Sequence, residues 1–152
     1  TPPGRGGAAR PDRPLSIHSL LVSYPTEVPS AQRRPYTAGA ALDPDLLSRL
    51  ARQVLNGQIQ MVQMQNETME DSLEADFRDG WATVYLVKEV HRYYEFLNHQ
   101  FPHCQEPLSI TGDGPTPKMH ATRDFSLMAE ILTHFARTGQ PFPGCRWEES
   151  TH

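Results

Sequence analysis

Cysteine is nearly absent: Cys104 and Cys145 are the only two in 152 residues, which argues against a small scaffold stapled by disulfides. Each closes a similar tetrapeptide, FPHC from Phe101 and FPGC from Phe142, and the pair reads as free, partly buried thiols. No apolar run approaches the ~18 residues a membrane-spanning helix needs, so no membrane partner is expected. GxSxG, HExxH and phosphate-cradling glycine loops are all missing, and with them the usual signatures of serine hydrolases, zinc proteases and nucleotide-binding enzymes. No catalytic residue and no cofactor is assigned.

Proline is unevenly spread. Residues 1–42 hold seven of the 14 prolines, four of the 10 glycines and a net charge of +3, whereas the remainder carries nine Lys or Arg against 16 Asp or Glu, a net of -7. That acidic body excludes nucleic acid as the main partner, because phosphate binding needs a neutralising basic patch. The first 42 residues read as a disordered tail whose composition does not repay the entropy of ordering. It holds one apolar island at 15–24. From Asp45 to Phe101, 57 residues pass without a proline and with only Gly57 and Gly80, as uninterrupted helices require.

Spacing then predicts three helices. Asp43 and Pro44 supply a start signal, and Leu47, Leu50, Val54, Met61, Met69, Leu73 and Phe77 recur near the helical period, giving a first helix over about 44–77. Asn56-Gly57 marks a place where it breaks or kinks. Val87, Val90, Tyr94, Leu97 and Phe101 follow a 3, 4, 3, 4 spacing that predicts a second helix over 81–101, joined to the first by a tight turn at Arg78 to Trp81. Residues 102–121 read as a loop. A third helix over 123–138 is capped by Thr122 or Asp124 and stopped by Gly139 and Pro141. The expected fold is all-α: a three-helix bundle within a 43–140 helical domain, followed by a C-terminal tail at 141–152.

Candidate chemistry is sparse. On a helix, His91, Glu95 and His99 would share one face, but the outer pair would stand ~12 Å apart, too far for one ion. His99, His103 and Cys104, completed by His134 or Cys145, lack the two close ligand pairs of structural zinc sites, so no metal site is assigned. Glu67, Glu70, Asp71, Glu74, Asp76 and Asp79 crowd one stretch. A calcium loop with Gly80 at its sixth position would need ligands at Ala75 and Leu86, which fails, and the six read as a solvated face. Asn66-Glu67-Thr68 fits the glycosylation pattern.

Met61 and Met64 lie in a stretch that serves either as core filler or as an adaptable docking surface. Leu15, Ile17, Leu20 and Leu21 form the tail's candidate anchors. Their spacing resembles the engrailed-homology motif by which transcriptional repressors dock Groucho-type corepressors, with Leu15 in place of its usual Phe. Ile17, Leu20 and Leu21 are also similar to a nuclear-receptor box whose first Leu is Ile. Packing of the segment on the body's own groove is the alternative. Thr37, three residues after Arg34, and Thr116, before Pro117, are candidate phosphosites.

The expected function is a non-enzymatic intracellular interaction module, adaptor or regulator in cytoplasm or nucleus, binding protein partners through a helical groove and the tail peptide. A secreted helical ligand with a Cys104–Cys145 bridge and a sugar on Asn66 is the first alternative. A metal-dependent enzyme using the helix histidines is the second.

Overall fold

A computed structural model describes residues 17–24, 32–37 and 44–151. Its centre is an antiparallel sheet of seven strands: β1 (Ile17–Tyr24), β2 (Gln32–Thr37), β3 (Met61–Asn66), β4 (Ser72–Arg78), β5 (Trp81–Lys88), β6 (Arg92–Leu97) and β10 (Arg146–Thr151). Their spatial order is β10-β6-β5-β4-β3-β1-β2, and the two-residue β9 (Ala121–Thr122) pairs with Ala82 and Thr83 of β5. A separate hairpin, β7 (Pro107–Thr111) with β8 (Gly114–Pro117), packs beside β4 and β5. Two helices complete the fold, α1 (Pro44–Leu55) and α2 (Phe125–Thr138).

The all-α three-helix bundle is therefore overturned. Residues 61–77 form two strands rather than the second half of a helix, and 81–97 form two more. The tail's 15–24 island is strand β1 from Ile17 onward, the 102–121 loop contains β7, β8 and β9, and the C-terminal tail supplies the edge strand β10. Leu15, Asp43 and the rest of residues 1–16 lie outside the described residues.

The strands form because burial in them alternates. Along β4, Leu73, Ala75 and Phe77 point inward while Ser72, Glu74 and Asp76 point out; along β5, Ala82, Val84 and Leu86 alternate with Trp81, Thr83, Tyr85 and Val87. Period two defines a half-buried strand. The 3, 4 spacing of the apolar residues fits a helix only because 81–101 is apolar at most positions, so both templates match. β-branched and aromatic side chains then favour the pleated surface, and Asp79-Gly80, with φ of 54° and 82°, forms a tight hairpin turn that closes β4 onto β5.

Where helices do form, the local signals agree. Pro44 opens α1, Leu46, Leu47, Leu50 and Val54 make its buried stripe, and Gly57 at φ 69° ends the segment. For α2, Asp124 accepts a hydrogen bond from the Leu127 amide, and Gly139 stops the helix in the left-handed region. Both helices bury their apolar stripes in one cluster with the inward strand residues, including Leu20, Val62, Met64, Leu86 and Phe96. A register shift between Ile17 and Ser19 turns Ile17 inward as well. Among the described residues, no helix is long and apolar enough to cross a membrane.

One charged contact ties three segments together. Lys88 is only 7% exposed; its Nζ donates to Asp71 Oδ2 at 2.7 Å and to the Gly139 carbonyl at 2.6 Å, at the C-terminal end of α2. Asp71 Oδ1 accepts the Glu89 amide at 3.0 Å, and Asn66 Oδ1 accepts the Asp71 amide at 3.1 Å. These bonds hold the β5–β6 turn, where Glu89 and Val90 adopt φ of 55° and 73°, a conformation unfavourable for a β-branched residue. Asp71→Ala would strand a buried ammonium and cost roughly 3 kcal/mol, whereas Lys88→Met removes the charge and fills the space, costing less. Urea denaturation of both variants checks this order.

Candidate functional site

The helices cover one face of the sheet, and the opposite face carries the polar chemistry. Registers place Leu21, Gln63, Glu74, Tyr85, Glu95 and Glu148 directly opposite one another in succession, a single row crossing six strands. Ser23, Met61, Asp76 and Thr83 form the row beside it. An open pocket of about 420 Å³ lies over β1, β3, β4 and β5, and its lining includes Ser19, Leu21, Gln63, Gln65, Glu74 and Tyr85.

Two carboxylates dominate this surface. Glu74 and Asp76 stand two residues apart on β4, so their side chains share the outer face. Gln63 Nε2 donates to Glu74 Oε1 at 2.9 Å. Partial burial pushes the Asp76 carboxyl up from 3.8 to about 8, helped by its hydrogen bond to Glu74 and by the negative charges of Glu74 and Asp113. The pair therefore holds a proton near neutrality, with one acid group donating to the other. Burial also lifts the Tyr85 phenol to about 12, with Glu74 and Asp76 adding to the effect, so it stays a neutral hydroxyl. Among the residues whose side chains are described, no Lys or Arg forms an ion pair with Glu74, Asp76 or Glu95. Such a surface can receive an ammonium or guanidinium group, with Leu21 and the 38%-exposed Tyr85 offering apolar contact.

The residues singled out in the sequence fall on both sides of this sheet. Ile17 and Leu20 are buried in the core within β1, and Met64 is buried beside them. Side chains so placed present no surface to a partner while the strand is paired. Leu21 faces outward and lines the pocket. Met61 is buried but lies apart from the main core. Thr37 ends β2, opposite Ser19; Thr116 sits on β8 opposite Leu108, outside the pocket lining.

The expected histidine groupings dissolve with the helix that held them. His91 and His99 flank opposite ends of β6, and the His134 ring packs edge-on against Phe142 at 5.6 Å, where burial lowers its pKa. Among the described residues, the one group of three ligand types that converges is Glu95, His120 and Glu148, with donor atoms all within 4.8 Å of one another. Cys104 and Cys145 are free thiols. Burial raises the Cys145 thiol to about 11, which suppresses its nucleophilic form.

Sequence reasoning grouped Glu74 and Asp76 with a general acidic surface and passed over Tyr85 and His120 as functional residues. The alternation in SLEADFR was the available signal for the first pair. Nothing local distinguishes His120, whose partners come from two strands distant in sequence. Comparison of the chain with protein-family models, curated proteins and solved structures finds no match.

The Asp76 shift carries a sign. Because its folded-state pKa is raised, the folded protein holds a proton that the unfolded chain releases, so stability is greatest below about pH 4 for this group and is lost as pH climbs toward about 8. Asp76→Asn keeps a donor for Glu74 without a charge. It should stabilise the protein by roughly 1–3 kcal/mol above pH 8, a figure reduced for partial solvent contact, and flatten the decline in urea midpoints between about pH 5 and 8. An unchanged pH profile in the variant would contradict the assignment.

Proposed function

We propose that the chain is a non-enzymatic intracellular interaction module whose outer sheet face binds a cationic segment of a protein partner. The observation that carries this reading is the carboxylate pair Glu74–Asp76, held in contact on one strand face beside an open pocket lined by Gln63, Leu21 and Tyr85. Like-charged side chains packed on one strand face cost stability. A Lys or Arg from outside would displace the shared proton and recover that cost as binding energy, with Tyr85 and Leu21 receiving the apolar stem of the same side chain.

Several features support the remaining parts of the reading. The body's net charge of -7 steers a basic partner toward it. The free thiols Cys104 and Cys145 suit a reducing compartment. The groove expected between helices is replaced by the sheet face, and the tail peptide by an internal strand. The helix bundle assumed for a secreted ligand and the helix face assumed for an enzyme built on histidines are both replaced by strands.

The test is affinity capture from cell extract with the full chain, with proteins identified by mass spectrometry, comparing the native protein with Glu74→Lys and Tyr85→Ala. Captured partners should be rich in Lys and Arg, fall away above about 0.5 M salt as screening shortens the electrostatic reach, and be lost on Glu74→Lys. Undiminished capture by a folded Glu74→Lys protein would refute the role of this face.

A further inference from the structure

The far end of the polar row carries a different arrangement, independent of what binds beside Tyr85. Glu95 on β6 and Glu148 on β10 are directly opposed across the antiparallel pair, a placement that costs stability when both are charged. His120, the last residue of a 3₁₀ turn at Lys118–His120, brings its ring within reach of both and is only 6% exposed. Its Nδ1 lies 2.8 Å from the Phe96 carbonyl. A carbonyl can only accept, so Nδ1 carries the hydrogen and the neutral ring leaves a lone pair on Nε2. That nitrogen sits 3.3 Å from Glu148 Oε1. In the neutral ring, two acceptors then face each other at hydrogen-bonding distance with a second carboxylate alongside, an arrangement that either a proton or a metal ion at Nε2 relieves.

We propose that Glu95, His120 and Glu148 form a binding site for a divalent transition-metal ion of the zinc class. Imidazole with two carboxylates is a suitable donor set for such an ion and less so for magnesium or calcium, which take oxygen alone. The bond from Nδ1 to a backbone carbonyl is the outer-shell contact that metal-bound histidines characteristically make, fixing both tautomer and ring orientation. The turn is held rigidly: the His120 carbonyl accepts the Thr83 hydroxyl at 2.6 Å, Asn98 Nδ2 donates to the Ala121 carbonyl at 2.8 Å, and the Asn98 amide donates to the Met119 carbonyl at 2.8 Å. The imidazole is thus fixed and the two Glu side chains are exposed. Donors around an ion at ~2.1 Å stand ~3.4 Å apart in a tetrahedral shell, so donor atoms that already lie within 4.8 Å of one another need to close by ~1.4 Å at most. Their exposure leaves room for water to complete the shell.

Such an ion would fasten the edge strand β10 to β6 and to the segment leading into α2. Trp147, next to Glu148, already packs its ring edge-on against Phe96 on the inner face at 6.3 Å, so metal and aromatic contacts would clamp β10 from both sides.

The experiment is calorimetric titration of the chelator-treated full chain with zinc chloride, read together with the thermal midpoint. One equivalent of zinc and an upward shift of the midpoint are expected. Glu148→Gln and Glu95→Gln, both at exposed positions, should each weaken binding at least tenfold, and His120→Gln should abolish it. Glu74→Gln, on the same face but outside the cluster, should leave it intact. Absence of binding to the native chain would overturn the proposal, as would tight binding that survives Glu148→Gln. Loss of binding in a His91→Ala, His99→Ala, His103→Ala triple variant would also overturn it, by assigning the zinc to other histidines.

Discussion

Both faces of this molecule depend on the pairing register of its central strands. In an antiparallel sheet the residue directly opposite determines which side every neighbour takes, and a slip of one position exchanges the two faces. With Met64, Leu73, Leu86 and Tyr94 in one inward row, Gln63, Glu74, Tyr85 and Glu95 must occupy the outward row. A one-residue slip of β4 would put Glu74 and Asp76 beneath α1 and α2, where a carboxylate pair has no compensation. Asp79-Gly80 pins one end of β4 and β5. At the other end, the Lys88–Asp71 bond holds an unfavourable turn in place from below.

The sheet's two sides thus do different work. The inner side is filled by Leu, Val, Ala and Phe from strands and helices, which supplies the stability. Antiparallel sheets tolerate a solvated outer side, but this one is more than solvated, since carboxylates stand beside or across from one another at two places. At Glu74–Asp76 the repulsion is relieved by a shared proton. At Glu95–Glu148 an imidazole lies within reach of both carboxylates, its Nε2 turned toward Glu148. Each arrangement costs stability in isolation, and each is where a cation is proposed to bind, in one case organic and in the other metallic.

Legibility in the sequence followed the range of the interactions. The helix at Phe125–Thr138 was readable because cap, stripe and stop all lie within the segment, and the start of α1 at Pro44 was readable for the same reason. The strands were obscured by density of apolar residues: Val87, Val90, Tyr94, Leu97 and Phe101 satisfy helical spacing, while Ala82, Val84 and Leu86 alternate inward along β5. Asp79-Gly80 was the clearest local sign of a hairpin. By contrast, the Glu89-Val90 turn carries no glycine, asparagine or proline and is stabilised by Asp71, 18 residues earlier, so nothing within it announces a reversal. The pocket and the Glu95–His120–Glu148 cluster exist only through pairings across the sheet. Within the sequence, Glu74 looked like an ordinary surface acid because its partners, Gln63 and Tyr85, are each 11 residues away.

The outer face holds the Glu74 and Asp76 carboxylates in contact, with one proton shared between them, and the reading of this surface rests on that pair. Carbon-13 detected titration of the side-chain carboxyl groups by nuclear magnetic resonance, followed from about pH 3 to pH 10, tests it most directly. The account predicts an Asp76 midpoint near 8, with a coupled response at Glu74. A simple Asp76 titration near its ordinary value of 3.8 would show that the two groups are apart and solvated, and would contradict the account.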